Sequence, residues 1–128
     1  MSHVIKKLMV KPGSKFKLRD IDPGYHSKHE SHEAALPEIQ AHVQKMDQLQ
    51  YLMYTEKKHS LLIVLQGLDA GGKDGVVRHV ITGMNPAGCK VIGFKQPTPE
   101  DLDHDFLWRI HPHVPQKGDV ANWTASTW

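Results

Sequence analysis

Leu61-Leu62-Ile63-Val64-Leu65-Gln66-Gly67-Leu68-Asp69-Ala70-Gly71-Gly72-Lys73-Asp74-Gly75 is the stretch whose reading decides the fold. An apolar run ends in a glycine-rich turn, the turn ends in a lysine, and a helical pattern follows. A strand, a glycine loop, a lysine and a helix in that order build a cradle for phosphates. Small residues let backbone N–H groups approach anionic oxygens. The helix N-terminus adds partial positive charge, and Lys73 adds a full one. The expectation is phosphoryl transfer or nucleotide binding.

The surroundings extend the pattern. Leu61 to Leu65 is apolar at every position, as in a parallel-sheet strand buried on both faces. Behind the loop, Val76, Val77, Val80, Ile81 and Met84 form one helical stripe, which Asn85-Pro86-Ala87-Gly88 ends. Cys89 to Phe94 reads as a second strand. Thr98-Pro99-Glu100-Asp101 then starts a helix: Thr98 caps, Pro99 suits the first position, and the acids favour the positive end. Leu102, Phe106 and Ile110 are its expected apolar face, and His111-Pro112 its stop. Upstream, Leu36, Ile39, Val43, Met46, Leu49 and Met53 predict a helix from about Pro37 to Tyr54. Residues 1–35 are polar, with turns at Pro12-Gly13 and Pro23-Gly24, and read as an arm mostly without regular structure. Strands alternating with helices imply an α/β parallel sheet with flanking helices. Two strands and a stub at Val120-Ala121 make it look unfinished.

Composition narrows the function classes. The chain has 128 residues, 39% hydrophobic and 23% charged, which suits one small globular domain. A net charge of +2 is too small to point to nucleic acid or membrane as a general partner. Cys89 is the only cysteine, so no internal disulfide is possible, which fits a reducing compartment. There is no secretory signal pattern and no apolar run near the ~20 residues of a membrane span. The expectation is a cytoplasmic protein.

Gly67 to Lys73 satisfies G-x-x-x-x-G-K, but Asp74 stands where Ser or Thr usually helps to hold Mg²⁺. Asp69 adds a carboxylate inside the loop. Acids in a phosphate cradle are unfavourable without a cation, so their presence argues for Mg²⁺ between carboxylate and phosphate. Arg78, Lys95 and Arg109 are candidates for gripping a polyanion, or else ordinary solvated residues. His26, His29 and His32, with Glu30 and Glu33, read as surface residues rather than a zinc set. Trp108 is expected to pack against the core, as is Cys89. Trp123 and Trp128 read as accidental, and the Asn122-Trp123-Thr124 sequon carries no weight without a secretory signal.

Gly67-Leu68-Asp69-Ala70-Gly71-Gly72-Lys73-Asp74-Gly75, with Val77-Arg78-His79-Val80 behind it, closely resembles the phosphate loop of the polyphosphate kinase type 2 family. Phe16 to Pro23 is similar to that family's N-terminal arm. Phe94-Lys95-Gln96-Pro97-Thr98 is similar to the segment after its second strand, and Asp105 to His111 to its next helix. The resemblance implies a P-loop kinase-like fold and Mg²⁺-dependent phosphoryl transfer between inorganic polyphosphate and a nucleotide such as AMP, ADP or GDP. It implies a homo-oligomer for the full-length parent. By resemblance, Lys73 binds the transferring phosphates and Asp69 organises the metal or the accepting oxygen. Gly67, Leu68, Ala70, Gly71, Gly72, Asp74 and Gly75 complete the phosphate-binding loop. Asp69 and Asp74 are the expected metal residues.

Two departures stand out. Gly71 lies where alanine is expected, which should loosen the loop slightly. After Lys117-Gly118-Asp119, the family continues with an apolar strand leading into Asn- or Asp-Arg-Ser, whereas this chain reads Val120-Ala121-Asn122-Trp123-Thr124-Ala125-Ser126. The expected organisation is an arm over 1–35, the N-terminal part of a P-loop kinase domain over 36–118, and an atypical tail over 119–128 from a truncation or frameshift. Two rivals remain. One is an ATP-dependent kinase on the same loop. The other is a non-catalytic phosphate-binding remnant.

Overall fold

The computed structural model describes residues 3–25, 28, 29 and 31–126. It divides into two compact units, residues 1–38 and residues 39–128. The first holds α1 (His3–Leu8), a single 3₁₀ turn at Leu18–Asp20, and the start of α2 (His32–Glu56). Both expected turns form, and Asp22 accepts a hydrogen bond from the Gly24 N–H at 2.9 Å. The Lys28 and His29 side chains meet Glu38 at 2.9 and 3.1 Å. This region has more regular structure than expected, because α2 starts at His32, five residues before Pro37. The Ser31 hydroxyl accepts from the Ala34 N–H at 3.2 Å and caps that earlier start. Pro37 therefore lies inside the helix, where it lacks the N–H that would meet the Glu33 carbonyl.

The second unit contains a three-stranded, all-parallel sheet. Its strands are β1 (Leu61–Gln66), β2 (Cys89–Phe94) and β3 (Val120–Ala125), in the order β1-β3-β2. In register, Leu61 and Cys89 flank Val120, and Gln66 and Phe94 flank Ala125. Between β1 and β2 runs α3 (Lys73–Val80), followed by short 3₁₀ turns at Ile81–Gly83 and Pro86–Gly88. Asn85 caps the latter, its side chain accepting from the Ala87 N–H at 2.9 Å. After β2, α4 (Pro99–Leu102) opens with a capping box between Thr98 and Asp101.

The sheet order moves the core away from where it was expected. β3 is buried along its length, whereas Leu61, Leu62 and Val64 of β1 are exposed. β1 has one neighbour among the described strands and β3 has two, so the central position covers β3. The residues expected to form an unrelated tail are thus the middle of the sheet. Strand alternation sends Val120 to one face, against Ile81 and Met84 with Met46, Met53, Val77 and Val80 around them. It sends Ala121, Trp123 and Ala125 to the other, against Phe94, Ile92 and Ile110. Trp123 is therefore a core residue and no accident.

Three further expectations change. On α2 the buried stripe runs through Val43, Met46, Gln50 and Met53, so Gln50 takes the place predicted for Leu49, which is exposed. α4 stops after one turn, leaving Leu102 and Phe106 exposed. There the Asp105 carboxylate accepts from the Leu107 N–H at 2.9 Å and diverts the backbone from the helical ladder. Trp108 is half-exposed and stacks on His104 with ring centroids 4.1 Å apart. Cys89 does pack against the core, and burial pushes its thiol pKa up, which disfavours the nucleophilic thiolate.

Asn122, wholly buried in β3, has no hydrogen-bond partner for either side-chain polar atom. Ile63 and Val91 lie opposite it. Such a group costs about 1–3 kcal/mol. Asn122→Leu, similar in shape and apolar, is expected to raise stability by about that amount. A urea melt checks this, and an unchanged or lower midpoint would mean that an unseen partner satisfies the amide.

Candidate functional site

The loop between β1 and α3 is fastened to the end of β3. The Gly67 N–H donates to the Ala125 carbonyl at 3.2 Å, and Gln66 Nε2 to the Ser126 carbonyl at 3.4 Å. A tight turn follows, closed by the Gly71 N–H on the Leu68 carbonyl at 3.0 Å. Ala70 and Gly72 both take left-handed φ, +60° and +82°. Gly72 is the N-cap of α3 and offers no side-chain cap, so the first-turn amides lack one. Those amides have no partner within the helix either, and they carry the positive end of its dipole.

Gly71, which stands where the family resemblance leads to alanine, lies close to its own loop's backbone. A Cβ at this position would lie 2.8 Å from the Leu68 carbonyl oxygen, closer than such contacts allow. The opposing atom is backbone and cannot swing aside. Gly71→Ala is expected to displace the loop and cost about 1–3 kcal/mol, the usual range for overpacking. Thermal unfolding and tripolyphosphate titration check it. An unaltered melting temperature with unaltered binding would show the turn to be pliable.

A cavity of about 430 Å³ opens over this loop. Its wall contains Asp69, Ala70, Gly71, Gly72, Lys73, Asp74 and Gly75, with Gly93, Phe94, Lys95, Thr124, Ala125 and Ser126. It lies at the carboxyl ends of β2 and β3, where parallel sheets hold their ligands. Lys73 Nζ donates to the Gly67 and Leu68 carbonyls at 2.8 and 2.7 Å. An ammonium has three N–H donors, so one remains for a ligand. Two lysines and two aspartates are thus among the residues that border one cavity.

The structure brings together eight of the expected site residues: Asp69 to Gly75 and Lys95. Gly67 and Leu68 lie outside the wall and act through their carbonyls. Arg78 is exposed in the last turn of α3, away from the cavity, and its carbonyl accepts from the Thr82 hydroxyl. Arg109 borders a second cavity of about 320 Å³ with Asp101, Trp108 and His113, which shares Gly93 and Phe94 with the first. Asp101 is held below the usual carboxylate range. The Thr98 N–H is the main cause, and the Thr98 hydroxyl and Arg109 add to it. A lowered carboxylate pKa stabilises the fold fully above the unfolded value near 3.9 and is lost as pH falls through the folded value. Thr124 and Ser126 escaped the sequence reading. With β3 recognised over 120–125, the strand-end rule would have found both.

Among the described residues, no three His, Cys, Asp or Glu side chains cluster as a metal site. His26 and Glu30 lie outside the described residues.

The second unit thus joins a parallel α/β sheet to a glycine loop with a lysine folded back on it at an uncapped helix start. The chain belongs to the Polyphosphate kinase 2 (PPK2) family, whose sequence profile matches residues 25–128. That match runs through β3, in agreement with its place in the sheet. The chain is 42% identical over 118 residues to the AMP/ADP-polyphosphate phosphotransferase of Meiothermus ruber, covering 91% of this chain and 44% of that protein. It is 43% identical to the ADP-polyphosphate phosphotransferase of Rhodopseudomonas palustris over 79% of this chain and 34% of that one. The crystal structure of Polyphosphate Kinase 2 from Arthrobacter aurescens TC1 superimposes with a TM-score of 0.80 at 36% identity, over 89% of this chain and 43% of that one. The chain therefore spans less than half the length of these relatives.

Proposed function

We propose that this chain carries the phosphate-binding part of an enzyme that transfers a phosphoryl group between inorganic polyphosphate and a nucleoside mono- or diphosphate, such as AMP, ADP or GDP. One observation carries the reading: Lys73, Lys95, two carboxylates and the open amides of α3 border a single cavity at the sheet's carboxyl end. The names of the relatives support the substrate class. The amides of Lys73, Asp74 and Gly75 bind non-bridging phosphate oxygens. Lys73 offers its third donor to the transferring group, and Lys95 reaches it from the β2 side. Such transfer needs in-line positioning and offset charge more than covalent chemistry.

Asp69 and Asp74 suit Mg²⁺, which takes one or two carboxylates and completes its shell with water and phosphate oxygens. When bound, the ion neutralises phosphate charge beside these acids. No described helix is long and apolar enough to cross a membrane. A cytoplasmic location and a homo-oligomeric assembly belong to the same proposal.

Donor choice tests the reading. Polyphosphate as sole donor is expected to support nucleotide phosphorylation, and ATP as sole donor is not. Turnover from ATP alone would favour an ATP-dependent kinase. A second reading is binding without turnover. Thermal stabilisation by tripolyphosphate with no transfer would support it.

A further inference from the structure

We infer that Arg109 is a positioning residue for Lys95, fixing the backbone from which that lysine reaches the phosphate cavity, and is not itself a phosphate ligand. The inference rests on the phosphate reading of that cavity. Lys95 lies one residue beyond the end of β2, where the sheet ladder no longer fixes the chain. Arg109 supplies a substitute: its Nη2 donates to the Lys95 carbonyl at 2.8 Å. Its guanidinium lies 5.5 Å from the Phe94 ring centroid. Its Nη1 is buried, makes no hydrogen bond, and sits 3.8 Å from Asp101 Oδ2.

Asp101 is an immobile partner. Its Oδ2 accepts from the Thr98 N–H at 2.8 Å, and its own N–H donates to the Thr98 hydroxyl at 3.2 Å. Arg109 thus ties three points of the segment leaving β2: the ring before Lys95, the carbonyl of Lys95, and the capped start of α4. Arg109 does not border the phosphate cavity, its Nη1 offers no surface, and one of its two Nη2 N–H groups is held by Lys95. Lysine cannot replace it, because a point ammonium lacks the planar fork that meets a carbonyl and a carboxylate together. The Lys95 side chain, by contrast, is exposed and borders the cavity.

A double-mutant cycle on tripolyphosphate affinity, with Mg²⁺ present, tests this. Lys95→Ala is expected to weaken binding about tenfold, as for loss of one charge-assisted hydrogen bond. Arg109→Gln should weaken it several-fold in the unsubstituted protein, and by less than about twofold once Lys95 is alanine. Arg109→Lys should lose as much as Arg109→Gln although it keeps the charge, and it runs the same cycle if the glutamine variant does not fold. Melting temperatures of all variants accompany the titrations. A merely structural role would weaken binding in both backgrounds. Equal losses in both backgrounds, full binding by Arg109→Lys, or full binding by Lys95→Ala would each overturn the inference alone. No binding by the unsubstituted protein would overturn the phosphate reading, and this inference with it.

Discussion

On the proposed function, Lys73→Ala is expected to cut phosphoryl transfer by about 10²–10³-fold, the loss seen when one preorganised donor to a developing charge is removed. The geometry predicts a functional effect far larger than the structural one. Nζ is held by two carbonyls of its own loop, Gly67 at 2.8 Å and Leu68 at 2.7 Å. Leu68 is largely exposed, so water can replace the ammonium there, while the Gly67 carbonyl is half-buried. Freeing them is expected to cost about 1 kcal/mol. What disappears is the positive charge of a residue in the cavity wall, which keeps Asp69 and Asp74. Affinity for tripolyphosphate should fall together with turnover, while the melting temperature without ligand moves little. Lys73→Met keeps the stem, loses the charge and should behave alike. Undiminished turnover in either variant would place the transfer site elsewhere.

The features that signal this site in the sequence are local. The change from a continuous apolar run to helical spacing across Gly67–Lys73 marks strand, loop and helix within a few residues, and the Thr98 capping box is as plain. What escaped was long-range. Nothing within Val120–Ala125 says that it lies between β1 and β2; Asn122 and Thr124 interrupt its apolar run, so it reads as a stub. The same gap hid Thr124 and Ser126 from the candidate site. Arg109 shows the limit of reading by residue type. Its charge suggests a polyanion, yet it lies outside the phosphate cavity and one arm of its fork is held by the Lys95 carbonyl fourteen positions earlier. α4 shows the reverse: its start is encoded by Thr98, but its length is cut by a carboxylate turn at Asp105 that helical spacing ignores.

Trp123→Ala is expected to be the most destabilising single substitution on the Phe94 face of the sheet. Trp123 is the one large side chain that β3 presents there, since Ala121 and Ala125 flank it. It is 5% exposed, meets Phe94 edge-on at 5.3 Å between ring centroids, and donates Nε1–H to the His113 carbonyl at 3.2 Å. Truncation would leave a cavity that alanine neighbours cannot close and would strip one partner from His113. Tryptophan-to-alanine changes in cores cost about 3–5 kcal/mol. Domains are stable by only about 5–15 kcal/mol, so the variant should unfold at far lower urea or lose its cooperative transition. Phe94 and Ala125 border the phosphate cavity as well as this core, so tripolyphosphate binding should fail along with the fold. Trp123→Phe separates the two contributions: it keeps the ring contact and loses the Nε1 bond. Its stability should lie between the unsubstituted protein and the alanine variant, and an alanine variant as stable as the unsubstituted chain would remove β3 from the centre of the core.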